Sequence, residues 1–121
     1  MRYVGIKGKV WEEVKAWTRR TWTDCYTCGA RNIEGKNAQA GHYWPVALNG
    51  SNNNRSWDER FIRLQCGYCN GTGQGRQADY RKNLVKELGE KVVAQYEKDA
   101  RAKKVDRVTD WNAIKNKFEN L

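Results

Sequence analysis

With 121 residues, 39% of them hydrophobic and 31% charged, the chain has material for one modest core and not for two. Its 23 Lys and Arg against 14 Asp and Glu leave a formal charge of +9, a surplus that suits a polyanion and above all nucleic acid. No apolar run approaches the ~20 residues that span a bilayer, and residues 1–10 lack the apolar stretch of a signal peptide. No membrane partner is expected, and the protein is expected in a reducing cytoplasm, where clustered cysteines more often hold metal than form disulfides.

Residues 1–9 read as an irregular or extended basic lead-in. Val10, Val14 and Trp17 then recur at i, i+4 and i+7, which predicts an amphipathic helix over 10–22 with Lys15, Arg19 and Arg20 off its apolar stripe. Turns and short strands occupy 25–70. Pro45 ends any strand running through His42, Tyr43 and Trp44. Asn49–Asn54 is a loop by composition, and Phe61-Ile62-Arg63-Leu64 is a short strand leading to the second cysteine pair. From Asp79 the pattern is helical to about 104: Tyr80, Leu84, Leu88, Val92 and Tyr96 fall at i+4 steps, with Gly89 as a weak point or kink. Thr109 or Asp110 caps a last helix over 110–121, striped by Trp111, Ile114, Phe118 and Leu121. These stripes pack either on the core or on a second copy of the chain. The chain thus divides into a lead-in and helix (1–24), a cysteine-framed core (25–76) and C-terminal helices (77–121), an α+β arrangement.

Cys25-Tyr26-Thr27-Cys28 and Cys66-Gly67-Tyr68-Cys69 are two Cys-x-x-Cys knuckles. Two residues between thiolates let one tight turn aim both sulfurs at one ion, and two such turns close a tetrahedral zinc site. The competing reading is a disulfide or redox pair; a thioredoxin-like motif would need one pair only and a βαβ context. Four thiolates around Zn²⁺ carry about −2, which leaves the chain strongly basic. With every position filled by sulfur, such a zinc is structural. The wide gap between the knuckles reads as an inserted functional element, and it contains the only histidine, His42. A neutral imidazole can take a proton from an attacking water near neutral pH, and phosphodiester hydrolysis then calls for a divalent ion on oxygen ligands.

Ala40-Gly41-His42-Tyr43, Asp58-Glu59-Arg60, Gln65-Cys66-x-x-Cys69-Asn70 and Tyr80-Arg81, in this order and spacing, resemble the phage NinG/Rap recombination endonucleases. So do Arg19-Arg20 and Asp24-Cys25-x-x-Cys28-Gly29 upstream, and the resemblance covers roughly residues 10–100. It implies a small ββα-metal (HNH, His-Me finger) core with zinc knuckles, flanked by N- and C-terminal helices. It also implies structure-selective cutting of branched DNA, Holliday junctions and D-loops among them. In that pattern His42 is the general base. Asn70 ligates a catalytic Mg²⁺ or Mn²⁺, and Cys25, Cys28, Cys66 and Cys69 hold the structural zinc. Two departures stand out: Gly41 replaces the acidic ligand that many such enzymes place before the histidine, and Phe61 replaces the middle Asn that braces the loop. Asp58 is the candidate carboxylate, with Glu59 in reserve.

Shape-selective cutting needs phosphate contacts more than base readout. The candidates are Lys7, Lys9, Arg19 and Arg20 before the first knuckle, and Arg76, Arg81 and Lys82 after the second. Trp44 and Trp57 are placed to stack on unpaired bases, whereas Trp11, Trp17 and Trp111 read as core. Resolving a four-way junction takes two nicks, for which a homodimer is the economical solution. The alternatives are a non-catalytic zinc module that binds DNA or a protein partner, and an HNH nickase acting on plain duplex.

Overall fold

Val10 and Val14 are fully buried and Trp17 nearly so, which sets the inward face of the first helix, α1 (Gly5–Thr21). The computed structural model describes residues 3–121. α1 starts earlier than its apolar spacing implies: residues 5–9 are helical and not an extended lead-in, while residues 1 and 2 lie outside the described residues. Tertiary contacts hold this first turn. Tyr3 packs edge-on to Trp11 and Trp57 at 6.2 and 6.0 Å, and Lys7 donates to Ser51 Oγ beneath the helix. Such contacts outweigh the poor helix propensity of the Gly-rich start.

The middle of the chain runs β1 (Gln39–His42), α2 (Val46–Asn49), β2 (Ile62–Gln65) and α3 (Gly67–Asn70). The two strands pair antiparallel, with Ala40 opposite Leu64 and His42 opposite Ile62. Alternation therefore turns Ala40, His42, Ile62 and Leu64 toward α1, and Gln39, Gly41, Arg63 and Gln65 the other way. Pro45 ends the first strand as expected and leads into α2. The second strand begins one residue later than predicted, because Phe61 closes a 3₁₀ turn over Glu59–Phe61.

The long connection between the strands is braced by buried polar groups and aromatic packing. Trp57 Nε1 donates to Ser51 O at 2.9 Å and Ser56 Oγ to Gly50 O at 2.7 Å. Asn53 Nδ2 reaches Lys104 O at 3.1 Å, and Val108 N donates to Asn52 O, so the 104–108 segment clamps the Asn-rich turn. Phe61 stacks on Tyr96 with centroids 3.7 Å apart. An aromatic pair thus holds the end of this loop.

The predicted helix over 79–104 is two helices, α4 (Gln77–Leu88) and α5 (Glu90–Arg101), parted by Gly89 at φ 91°. A side chain at that φ is strained, so glycine permits a break where an alanine would favour a continuous helix. The restart resets the helical phase: Val93 is fully buried and Val92 only partly. The last helix, α6 (Trp111–Asn120), is capped as predicted, Asp110 Oδ1 accepting from Ala113 N at 3.0 Å.

Two apolar clusters result. One joins α1, the strand faces, Trp57 and the α6 residues Ile114 and Phe118; the other joins Tyr43, Phe61 and the inward faces of α4 and α5. The described residues thus form an α+β fold of six α-helices and one two-stranded sheet, in which no helix is long and apolar enough to cross a membrane.

Candidate functional site

The four cysteines, far apart in sequence, converge: their sulfurs all lie within 4.8 Å of one another. Cys28 Sγ and Cys66 Sγ are 3.8 Å apart. Sulfurs about 2.3 Å from a tetrahedral zinc would sit roughly 3.8 Å from one another, so the set can hold a zinc ion. The surroundings favour thiolate unequally. Burial works against ionisation of Cys25, but hydrogen bonds from the Thr27 side chain and from nearby backbone outweigh it and bring that thiol down to about 6. Burial pushes Cys69 up to about 12. Four adjacent thiols cannot all ionise without a cation to offset them.

His42 ends β1, and Asn70 ends α3 directly after the last cysteine. Both line one cleft of about 470 Å³. The ring of His42 is half-buried, and its Nε2 is sealed from bulk solvent with no hydrogen-bond partner among the described residues. Trp11 stacks on the imidazole at 5.7 Å and 19°, and Trp57 meets it edge-on at 5.9 Å. Burial between these indoles lowers the His42 pKa to about 4, against a smaller upward pull from the nearby Ser56 backbone. The imidazole is therefore neutral at pH 7, and a weaker proton acceptor than an unperturbed histidine. Asn70 Nδ2 donates to Gln39 Oε1 at 2.9 Å, while Gln39 Nε2 donates to Lys36 O. This relay orients the Asn70 amide and leaves its Oδ1 without a partner among the described residues.

Asp58 does not join this pair. Its carboxylate caps the 3₁₀ turn and binds Arg60 at 2.7 Å, and with Glu59 it lines a separate cleft of about 850 Å³. The reason is local: Asp58 sits two residues before Arg60, and the turn closes on that ion pair. No Asp or Glu lines the His42 cleft among the described residues.

Gly41 explains why none precedes the histidine. A Cβ built there would lie 1.8 Å from Gln65 Oε1. Gln65 is completely buried, and its Nε2 donates to Thr27 Oγ1 and to Gly75 O, both at 3.0 Å. It thereby links the first cysteine turn to the cleft loop. The sequence pattern around the second cysteine pair assigns Gln65 no role of its own. A glutamine opposite Gln39 in a strand carries no sequence signal of full burial. Trp11 was read only as core; its place against His42 follows from helix packing that spacing alone does not reveal.

The predicted DNA contacts separate into two kinds. Arg20 Nη2 donates to the carbonyls of Phe118 and Leu121 and so caps the end of α6, where a cation also suits the helix dipole. Arg19 donates to Ala38 O at 3.0 Å, Arg76 pairs with Asp79 at 2.8 Å, and Arg81 bridges Glu90 and Glu97 at 2.7 and 3.0 Å. Lys7 is held by Ser51 and lies over Trp111. Lys9 and Lys82 are exposed and have no ion-pair partner among the described residues. Trp44 is half-buried beneath Arg101. Trp57, proposed from sequence to stack on bases, is 1% exposed and belongs to the core.

No curated protein and no solved structure matches the chain. A family model described as bacteriophage Lambda NinG protein matches residues 7–121, a span that takes in both cysteine pairs, His42 and Asn70. On that match the chain belongs to the bacteriophage Lambda NinG family.

Proposed function

We propose that the chain is a metal-dependent endonuclease of the HNH type that cuts branched DNA, with Cys25, Cys28, Cys66 and Cys69 holding a structural zinc. The observation that carries this reading is the shared cleft of His42 and Asn70, one on the first strand and one on the short helix after the second. The strand–strand–helix order agrees with a ββα-metal core, and the +9 charge suits the substrate.

Among the described residues the cleft offers an amide oxygen and an imidazole but no carboxylate, so the donors they supply are neutral. Mg²⁺ prefers oxygen ligands and is commonly shared with substrate phosphates. Asn70 Oδ1 is the residue atom that would hold it, with the phosphate supplying the negative charge. Bound there, the ion would offset charge developing on the phosphate and the leaving oxygen. The chain's own part lies in His42. With the Ser56 backbone beside the ring, the neutral imidazole accepts, at its cleft-facing edge, the proton of a water whose oxygen attacks phosphorus as the P–O bond to the leaving oxygen breaks. An anionic phosphate beside the ring raises the low pKa of the imidazole, which strengthens the base when substrate is present.

A second reading, a non-catalytic zinc module that binds DNA, draws on the missing carboxylate. A fluorescent four-way junction with Mg²⁺ separates the two. His42→Ala is expected to abolish cleavage, a loss of at least about 100-fold, with binding retained. No cleavage by the unaltered protein on junction, flap or duplex would establish the binding module, and equal rates on all three a general nickase.

A further inference from the structure

Among the described residues, the cleft beside His42 has no charged side chain on its walls. None of its eleven lining residues is Lys, Arg, Asp or Glu, although 31% of the chain is charged. The larger cleft by contrast is lined mostly by charged side chains, which pair with one another, Arg60 with Asp58 and Lys104 with Asp99. A groove made only to track phosphates would present cations. This one sets an apolar wall, Trp11, Pro45 and Val46, beside a row of amides, Asn70, Gln74 and Gln77. The Gln74 and Gln77 side chains are exposed and have no hydrogen-bond partner among the described residues.

We infer that this cleft receives one unstacked nucleotide of the DNA substrate, its base against the Trp11–Pro45 wall and its edge met by the amides of Gln74 and Gln77. A base has an apolar π-face and a polar rim of donors and acceptors, and an amide both donates and accepts, so wall and row complement the two parts of the ligand. At about 470 Å³ the cleft lies within the range of sites for molecules of this size. The inference rests on the reading of His42 as the reacting group, since it seats the nucleotide beside the scissile phosphate. It also supplies a basis for preferring branches: a branch point yields an unpaired nucleotide at little cost, whereas a continuous duplex must be unstacked first.

The test uses the full chain and a forked DNA with one unpaired nucleotide at the branch, compared with the same fork carrying an abasic analogue there. Affinity is read by fluorescence anisotropy in EDTA, and cleavage separately in Mg²⁺. We expect roughly tenfold weaker binding to the abasic fork. Trp11→Phe should keep that penalty. Gln74→Ala with Gln77→Ala should also keep it while levelling any preference among the four bases. Equal affinity for the two forks overturns the inference. Equal affinity with efficient cutting leaves the nuclease reading standing without this pocket, whereas a persistent abasic penalty with no cutting supports the pocket and removes the nuclease.

Discussion

Gly41 lies where the Gln65 side chain crosses the hairpin, and the crossing leaves no room for even a methyl group. Gly41→Ala must displace a buried amide bonded to Thr27 and Gly75. It is expected to destabilise the fold by about 1–3 kcal/mol in urea denaturation. An aspartate there would add an unpaired charge to the same clash. The neighbouring histidine has a pH signature. Its folded pKa, about 4, lies below the ~6.5 of an unfolded chain, so between these values the unfolded state binds more protons. The stability this contributes is present above pH 6.5 and is lost as pH falls toward 4. Denaturation at pH 7 and pH 5 should show the fall, and His42→Asn should flatten it. As the only histidine, its imidazole NMR signals titrate without ambiguity. His42 stood out as the lone histidine between the knuckles, whereas Asn70 entered through the family resemblance. The hold of Gln65 on Gly41 was not legible, because it depends on a side chain reaching across strand register.

The cysteine turns and the helices show how differently local pattern specifies an element. Two residues between thiolates are enough to define each turn, and the convergence of the four sulfurs followed. One zinc per chain by elemental analysis, lost together with far-UV helicity on chelation, is the expected behaviour of a closed four-cysteine site. Cys66→Ser should lower the zinc content and the melting temperature together. The α1 stripe was legible because Val10, Val14 and Trp17 all face one core. Its first turn was not, since Tyr3 and Lys7 are held by residues far along the chain. Gly89 was visible as a weak point; whether it kinks or divides a helix depends on which side chains the neighbouring core accepts.

For the molecule as a whole, the C-terminal stripes close the chain on itself. Ile114 and Phe118 are buried against α1, and Leu84, Val93 and Tyr96 against the interstrand loop. The exposed large apolar residues, Val4, Leu48, Tyr68, Val105 and Leu121, are dispersed along the chain. The stripes offered from sequence for a homodimer interface are thus largely covered within one chain, Leu121 excepted. If two copies serve a junction, as two nicks require, DNA is the scaffold that brings them together. Light scattering should then give a monomer without DNA and two chains per junction, and a single chain per junction would argue against paired cutting. By itself the sequence determined the basic character, the two cysteine turns and the amphipathic stripes. Each of these is a short-range property of residue type and spacing. Only the tertiary structure decided that Asp58 belongs to a different cleft, that Arg20 caps α6, that Trp57 is core and that Trp11 covers the imidazole. Those outcomes depend on which distant side chains come into contact, and the packing of the closed chain selects them.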